Sequence, residues 1–230
     1  MAFDGTDSLA VDHFGHPEVQ LGPVTKCCVT EPGLATDGQT GTAWVTYASL
    51  ITGHGGVFAR QLTASGGPAG PPELLPGSAA GGNAITPAQR VGTTGRGAGS
   101  GGVYAAYEHG YPSATGRDVD RLGARTPAVV ATFKGTEQLA GSALTATPSG
   151  RLWVAWFDGR GSPPALFVRL SSATAASWSP AQKVALPPGT TTVWKVYLNA
   201  QATKLDVLAL VTQNGNDKDA AYWHTQVAQP

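Results

Sequence analysis

The chain has 230 residues, of which 31 are glycine and 17 proline, about a fifth of the total against an average near one in eight, and that surplus of turn formers excludes a mainly helical protein. Charged residues make up only 13%, and 15 basic and 15 acidic side chains cancel to a formal net charge of zero, so no basic surface is expected for gripping nucleic acid. No run of 18 apolar residues occurs and the first seven residues are acidic where a signal peptide is basic and then apolar, so neither membrane insertion nor a leader is expected.

Taken in chain order, alternating apolar side chains predict strands, and clusters of Gly, Pro and Asp predict turns. Leu9 to His13 reads as a strand, and Glu18 to Leu21 follows Pro17 as another. Leu34 to Asp37 and Thr42 to Tyr47 make a hairpin through Asp37-Gly38; Val57 to Leu62 and a short strand after Pro72 come next. The glycine-rich stretch Gly92 to Gly102, which holds Arg96, reads as one long hairpin turn, because it lacks the Lys-Ser/Thr and the following helix of a phosphate loop. Gly102 to Glu108, Asp118 to Leu122 and Pro127 to Ala131 then repeat the earlier order. It recurs with Leu144 to Thr147, Leu152 to Asp158, Leu166 to Leu170 and Pro180 to Val184, and again with Val193 to Leu198, Lys204 to Leu210 and Ala221 to Thr225.

Asp12, Arg60, Arg121, Arg169 and His224 occupy corresponding places in the third strand of each unit, at intervals of about 50 to 60 residues, a period that fits one four-stranded propeller blade. The expected fold is therefore all-β, a β-propeller of four to five antiparallel blades or part of a larger six-bladed ring, with a β-sandwich of loosely similar strands as the alternative. The blades fall near residues 1–25, 26–80, 81–135, 136–188 and 189–230 of a single domain. Proline opens each fourth strand, as suits an outermost strand with a free edge. The last unit lacks a fourth strand and the first lacks a hairpin of its own, so residues 17 to 22 are expected to pair with 221 to 227 and close the ring. Left open, the ring would offer edges for self-association. Trp44, Tyr104, Trp153 and Trp156 are expected between blades.

The stretch Ser171-Ser172-Ala173-Thr174-Ala175-Ala176-Ser177-Trp178, between the third and fourth strands of one unit, resembles the Asp-box turn, Ser-x-Asp-x-Gly-x-Thr-Trp, of the sialidase-like BNR-repeat propellers. Ser171 and Trp178 match, Ser177 stands for Thr, and Ala173 and Ala175 replace Asp and Gly. The resemblance implies the fold and an extracellular setting; the Asp-box is itself a stabilising turn, remote from the catalytic centre of that family. Sialidase chemistry in the family uses three arginines on the substrate carboxylate, a tyrosine activated by a glutamate, and an aspartate as acid/base. Here Arg60, Arg121 and Arg169 sit on third strands and read as edge arginines on a solvated face. Tyr107 and Glu108 are neighbours in a strand and so point to opposite faces. The family's Arg-Ile-Pro motif is absent.

Loops leaving the second strand build one face of a propeller, and function concentrates on such loops. There Ser49, Glu108 and Asp158 fall at equivalent places, with His54, His109, Tyr111 and Arg160 beside them, a mixture of carboxylate, cation and aromatic ring suited to sugar hydroxyls and sugar faces. A non-catalytic carbohydrate-binding or cell-surface propeller is the expected function, with a glycan or protein as partner; a sialidase-type exo-glycosidase and a structural propeller in a larger assembly are the alternatives. No cofactor is expected. No metal is expected either, because His13 and His16 lack further ligands nearby in sequence. Cys27 and Cys28 are adjacent and do not make a disulfide framework.

Overall fold

Thr42 to Tyr47 and Leu152 to Asp158 carry large apolar side chains on both faces of a strand, which requires cover on both sides. In a computed structural model that describes residues 2–5, 8–11, 19–23, 32–37, 40–49, 55–79, 93–96, 101–109, 116–124, 127–132, 142–159, 161–215 and 217–230, this is what they receive. Trp44, Val45, Thr46 and Tyr47 are all buried, as is every residue from Leu152 to Phe157. The third strands Gly56–Leu62 and Ala165–Leu170 alternate between full and partial burial, the third strand Gly116–Arg121 is buried as far as Asp120, and the fourth strands are short and largely exposed. Burial therefore falls from the second strand outward across each four-stranded sheet for which it is described.

The strands are β1 (Ala2–Gly5), β2 (Ser8–Val11), β3 (Val19–Pro23), β4 (Gly33–Thr36), β5 (Ala43–Ser49), β6 (Gly56–Leu62), β7 (Glu73–Leu74), β8 (Thr93–Arg96), β9 (Val103–His109), β10 (Gly116–Arg121), β11 (Ala128–Thr132), β12 (Ser142–Ala146), β13 (Leu152–Asp158), β14 (Ala165–Leu170), β15 (Gln182–Val184), β16 (Thr190–Ala200), β17 (Lys204–Gln213) and β18 (Ala221–Ala228). Among the described residues the one helical segment is a single 3-10 turn, Asp217–Asp219. The strands form five antiparallel sheets, each contiguous in sequence and each ordered as it runs along the chain: β1 to β3, β4 to β7, β8 to β11, β12 to β15 and β16 to β18.

Two compact units result, Met1–Thr94 with Gly102–Thr136, and Gly95–Gly101 with Glu137–Pro230. In the first, Trp44, Val57, Ala59 and Leu75 pack on Val103, Ala105, Tyr107 and Leu122, joining the second sheet to the third. In the second, Trp153, Phe157, Leu166, Val168 and Leu170 pack on Val193, Val196, Leu205, Val207, Val211 and Val227, joining the fourth sheet to the fifth. Trp44, Tyr104, Trp153 and Trp156 are all buried.

Three expectations are corrected. Arg96 lies in strand β8 and not in a turn, because β9 offers Thr93–Arg96 a ladder that outweighs its weak strand propensity. The first sheet has a hairpin of its own, since β1 pairs with β2 from Ala2↔Val11 to Gly5↔Ser8. The segment after Pro17 does not join the last strand: β3 pairs with β2, β18 pairs with β17, and the two belong to different sheets. Local pairing wins because it closes a far shorter loop and so costs less chain entropy.

Candidate functional site: the end of the β9–β10 hairpin

Register gives corresponding places, within three separate sheets, to residues near the ends of the second strands β5, β9 and β13. Ser49 lies opposite Gly56, Glu108 opposite Arg117, and Asp158 opposite Ala165. The three expected positions are thus equivalent, but their settings differ. Asp158 is half-buried next to a small residue. Glu108 is buried at 4% exposure and faces the guanidinium of Arg117, with Arg117 Nη2 3.5 Å from Glu108 Oε1. Only the backbone of Ser49 and His109 is described, and His54, Tyr111 and Arg160 lie outside the described residues, as do His13, His16, Cys27 and Cys28.

The same hairpin buries two further carboxylates. On β10 the side chains alternate, so Arg117 shares a face with Glu108, while Asp118 and Asp120 lie opposite Tyr107 and Ala105 on the other face. That second face is the one whose Tyr107 and Ala105 pack on Trp44, Val57 and Leu75. Asp118 is 3% exposed and Asp120 and Arg117 are 0% exposed. Burial pushes the pKa of the Arg117 guanidinium down, and the carboxylates of Glu108 and Asp118 pull it back up. A bulge between Arg117 and Asp118 shifts the pairing with β11 at this point, and bulges re-aim side chains where they occur.

Arg117, Asp118 and Asp120 escaped the sequence reading, although a signal was there. Counted from the equivalent positions 12, 60, 121, 169 and 224, the places of Asp118 and Asp120 are held by Leu9 and Val11, Val57 and Ala59, Leu166 and Val168, and Ala221 and Trp223. Two acids where the other four repeats carry apolar residues mark this blade as different, and strongly perturbed buried charges cluster at functional sites.

The repeated arginines have a definite task. Arg60 Nε donates to the carbonyl of Gly70 at 2.8 Å and Arg169 Nε to that of Ser179 at 2.6 Å; Arg121 is exposed. Two of the three edge arginines, both still partly exposed, thus also clamp the turn between third and fourth strands. The turn after Arg169 is well ordered by hydrogen bonds. Ser171, fully buried, accepts from the amide of Leu152 at 2.8 Å and donates to the carbonyl of Ser172 at 2.7 Å. Ser171 bridges Trp178, the amide of Ser172 donates to the carbonyl of Ser177, and that of Ala175 to the carbonyl of Ser172. Ala175 has φ +57°, and Gly66, at the matching place in the turn after β6, has φ +85°.

No protein-family model matches the chain, and no curated protein matches it. Solved structures do. A protein of unknown function from Dyadobacter fermentans is similar over 98% of this chain and 66% of its own, at 11% identity and a TM-score of 0.58. An α-L-arabinofuranosidase from Lactobacillus brevis is similar over 96% of this chain and 83% of its own, at 8% identity and a TM-score of 0.53. A Hadza microbial sialidase is similar over 87% of this chain, at 14% identity and a TM-score of 0.51; this chain spans 44% of it. At such identities the likeness speaks for the fold alone. It agrees with the successive antiparallel meanders in assigning the chain to the β-propeller fold.

Proposed function

We propose that the chain is a non-catalytic carbohydrate-binding or cell-surface propeller, one domain whose five sheets are its blades, with its ligand at the loop ends that carry Ser49, His54, Glu108, His109, Tyr111, Asp158 and Arg160. The observation that carries this reading is the occupation of the arginines. Among the described residues Arg117 is buried against Glu108, and Arg60 and Arg169 hold turn carbonyls, which gives these three guanidiniums structural partners, where sialoside cleavage calls for arginines that grip the substrate acid. The half-buried carboxylate of Asp158, at the end of β13, suits sugar hydroxyls. The likeness to propellers named for arabinofuranosides and for sialic acid makes a glycan the ligand of choice.

A sialidase-type exo-glycosidase is the second reading. It is favoured by the turn from Ser171 to Trp178, which we read as a degenerate Asp-box: the left-handed Ala175 stands where that motif has glycine. A glycan array and a fluorogenic sialoside separate the readings. Array binding with no hydrolysis is expected. Hydrolysis above background would reject the binding reading, and no array signal together with a mass well above that of one chain would favour a structural propeller.

A further inference from the structure

The fifth sheet has two unlike faces. Val193, Val196, Leu205, Val207, Val211 and Val227 are buried against the fourth sheet. By register, the opposite face is built of three cross-strand rows: Lys195, Leu210 and Tyr222; then Tyr197, Leu208 and His224; then Asn199, Asp206 and Gln226. Large apolar side chains lie open on it, with Tyr197 41%, Leu208 38% and Tyr222 64% exposed. A face built to receive another sheet would be apolar throughout, as the buried one is. This face instead mixes aromatic rings with amides and one carboxylate.

That carboxylate is held in place. Gln226 Nε2 donates to Asp206 Oδ1 at 2.7 Å, His224 Nε2 lies 3.3 Å from the same oxygen, and Gln201 Nε2 donates to Oδ2. These donors, together with the charge of Lys204, hold the Asp206 carboxyl below its ordinary pKa. The side chain stays 18% exposed, so a hydroxyl of a ligand can still reach it. Rows on one face are about 7 Å apart and neighbouring strands about 5 Å apart, so the rings and the polar row span a patch on the order of 10 to 15 Å. Acid and base on this face balance, which offers a polyanion or a polycation no net attraction.

We propose that the outer face of the β16 to β18 sheet is a binding platform for a neutral glycan, with Tyr197 and Tyr222 stacking on sugar rings and Asp206, Asn199 and Gln226 engaging hydroxyls. Aromatic rings take the apolar face of a sugar, and a fixed carboxylate or amide accepts from or donates to its hydroxyls. The platform is separate from the loop ends of the first proposal and does not depend on it.

Affinity gel electrophoresis of the full chain through arabinan, galactan, xylan and mixed-linkage glucan tests it. At least one of these gels retards the wild type. In that gel the double variant Tyr197→Ala with Tyr222→Ala weakens binding about tenfold or more, while Lys183→Ala, on the exposed strand β15 and outside both proposed sites, migrates as the wild type does. Both tyrosines are exposed, so unchanged circular dichroism melting shows that the double variant is folded. Retardation that survives the double variant but is lost in Asp158→Ala would overturn the platform and support the loop-end site. Retardation lost in neither variant, absent from all four neutral gels, or seen only with polygalacturonate would also overturn it.

Discussion

Ala175 holds a backbone conformation that costs an L-residue about 1–2 kcal/mol and costs glycine almost nothing. Part of that gain is offset by the greater freedom of glycine in the unfolded chain. Ala175→Gly is therefore expected to stabilise the protein by about 0.5–1 kcal/mol, read as a higher urea midpoint with unchanged slope; a lower midpoint would show that the turn is not strained. Arg117 works in the other direction. Arg117→Ala takes the guanidinium away from Glu108 and Asp118 in a buried setting and should cost about 3–5 kcal/mol by the same measurement, whereas a cost below about 1 kcal/mol would mean that the charges are solvated. Asp206 adds a pH dependence of known sign. Its folded pKa lies below its unfolded value, so its contribution is complete above the ordinary aspartate range near pH 4 and is lost as pH falls through the folded value. Glycan retention should fall with acid below about pH 4 in the wild type, and Asp206→Asn should remove that dependence. At this scale the sequence disclosed little. Glu108 and Asp158 were legible as loop-end acids, but the partner of Glu108 sits across a strand pair, and only register brings Arg117 to it. Asp118 and Asp120 fall within the expected third strand Asp118 to Leu122, but a period of two reports which residues share a face and not what covers that face.

Strands with apolar residues on both faces were the most legible elements, because only a buried central strand accommodates them. Trp153 is the largest of the fully buried side chains, and Trp153→Ala should cost about 3–5 kcal/mol, the range for deleting a large core aromatic; near-neutral behaviour in denaturant titration would place the ring outside the core of the fourth and fifth sheets. The turn clamps are weaker. Arg169→Ala removes donations to the carbonyls of Ser179 and Trp178 and should cost about 1–2 kcal/mol. The two strands that escaped the sequence reading have little to read. Thr93–Arg96 is a four-residue strand with no large apolar side chain in a glycine-rich stretch, and Ala2–Gly5 has one, Phe3. Both owe their conformation to the neighbour they pair with, a tertiary effect that propensity cannot report.

Across the whole molecule, one pattern recurs: a meander of three or four antiparallel strands, repeated five times, and in the second to fifth sheets, among the described residues, buried most deeply at its second strand. That rhythm carried the propeller fold from sequence, while the pairing expected between the segment after Pro17 and the last strand gave way to local hairpins. The two proposed glycan sites lie at the hairpin ends after the second strands and on the open face of the last sheet. Proton NMR of the full chain mixed with sialyllactose and with neutral oligosaccharides reads binding and turnover in one spectrum. The account predicts saturation transfer from the protein to a glycan while the anomeric signals stay unchanged over many hours. New anomeric signals growing with time, or no transfer to any glycan, would contradict it.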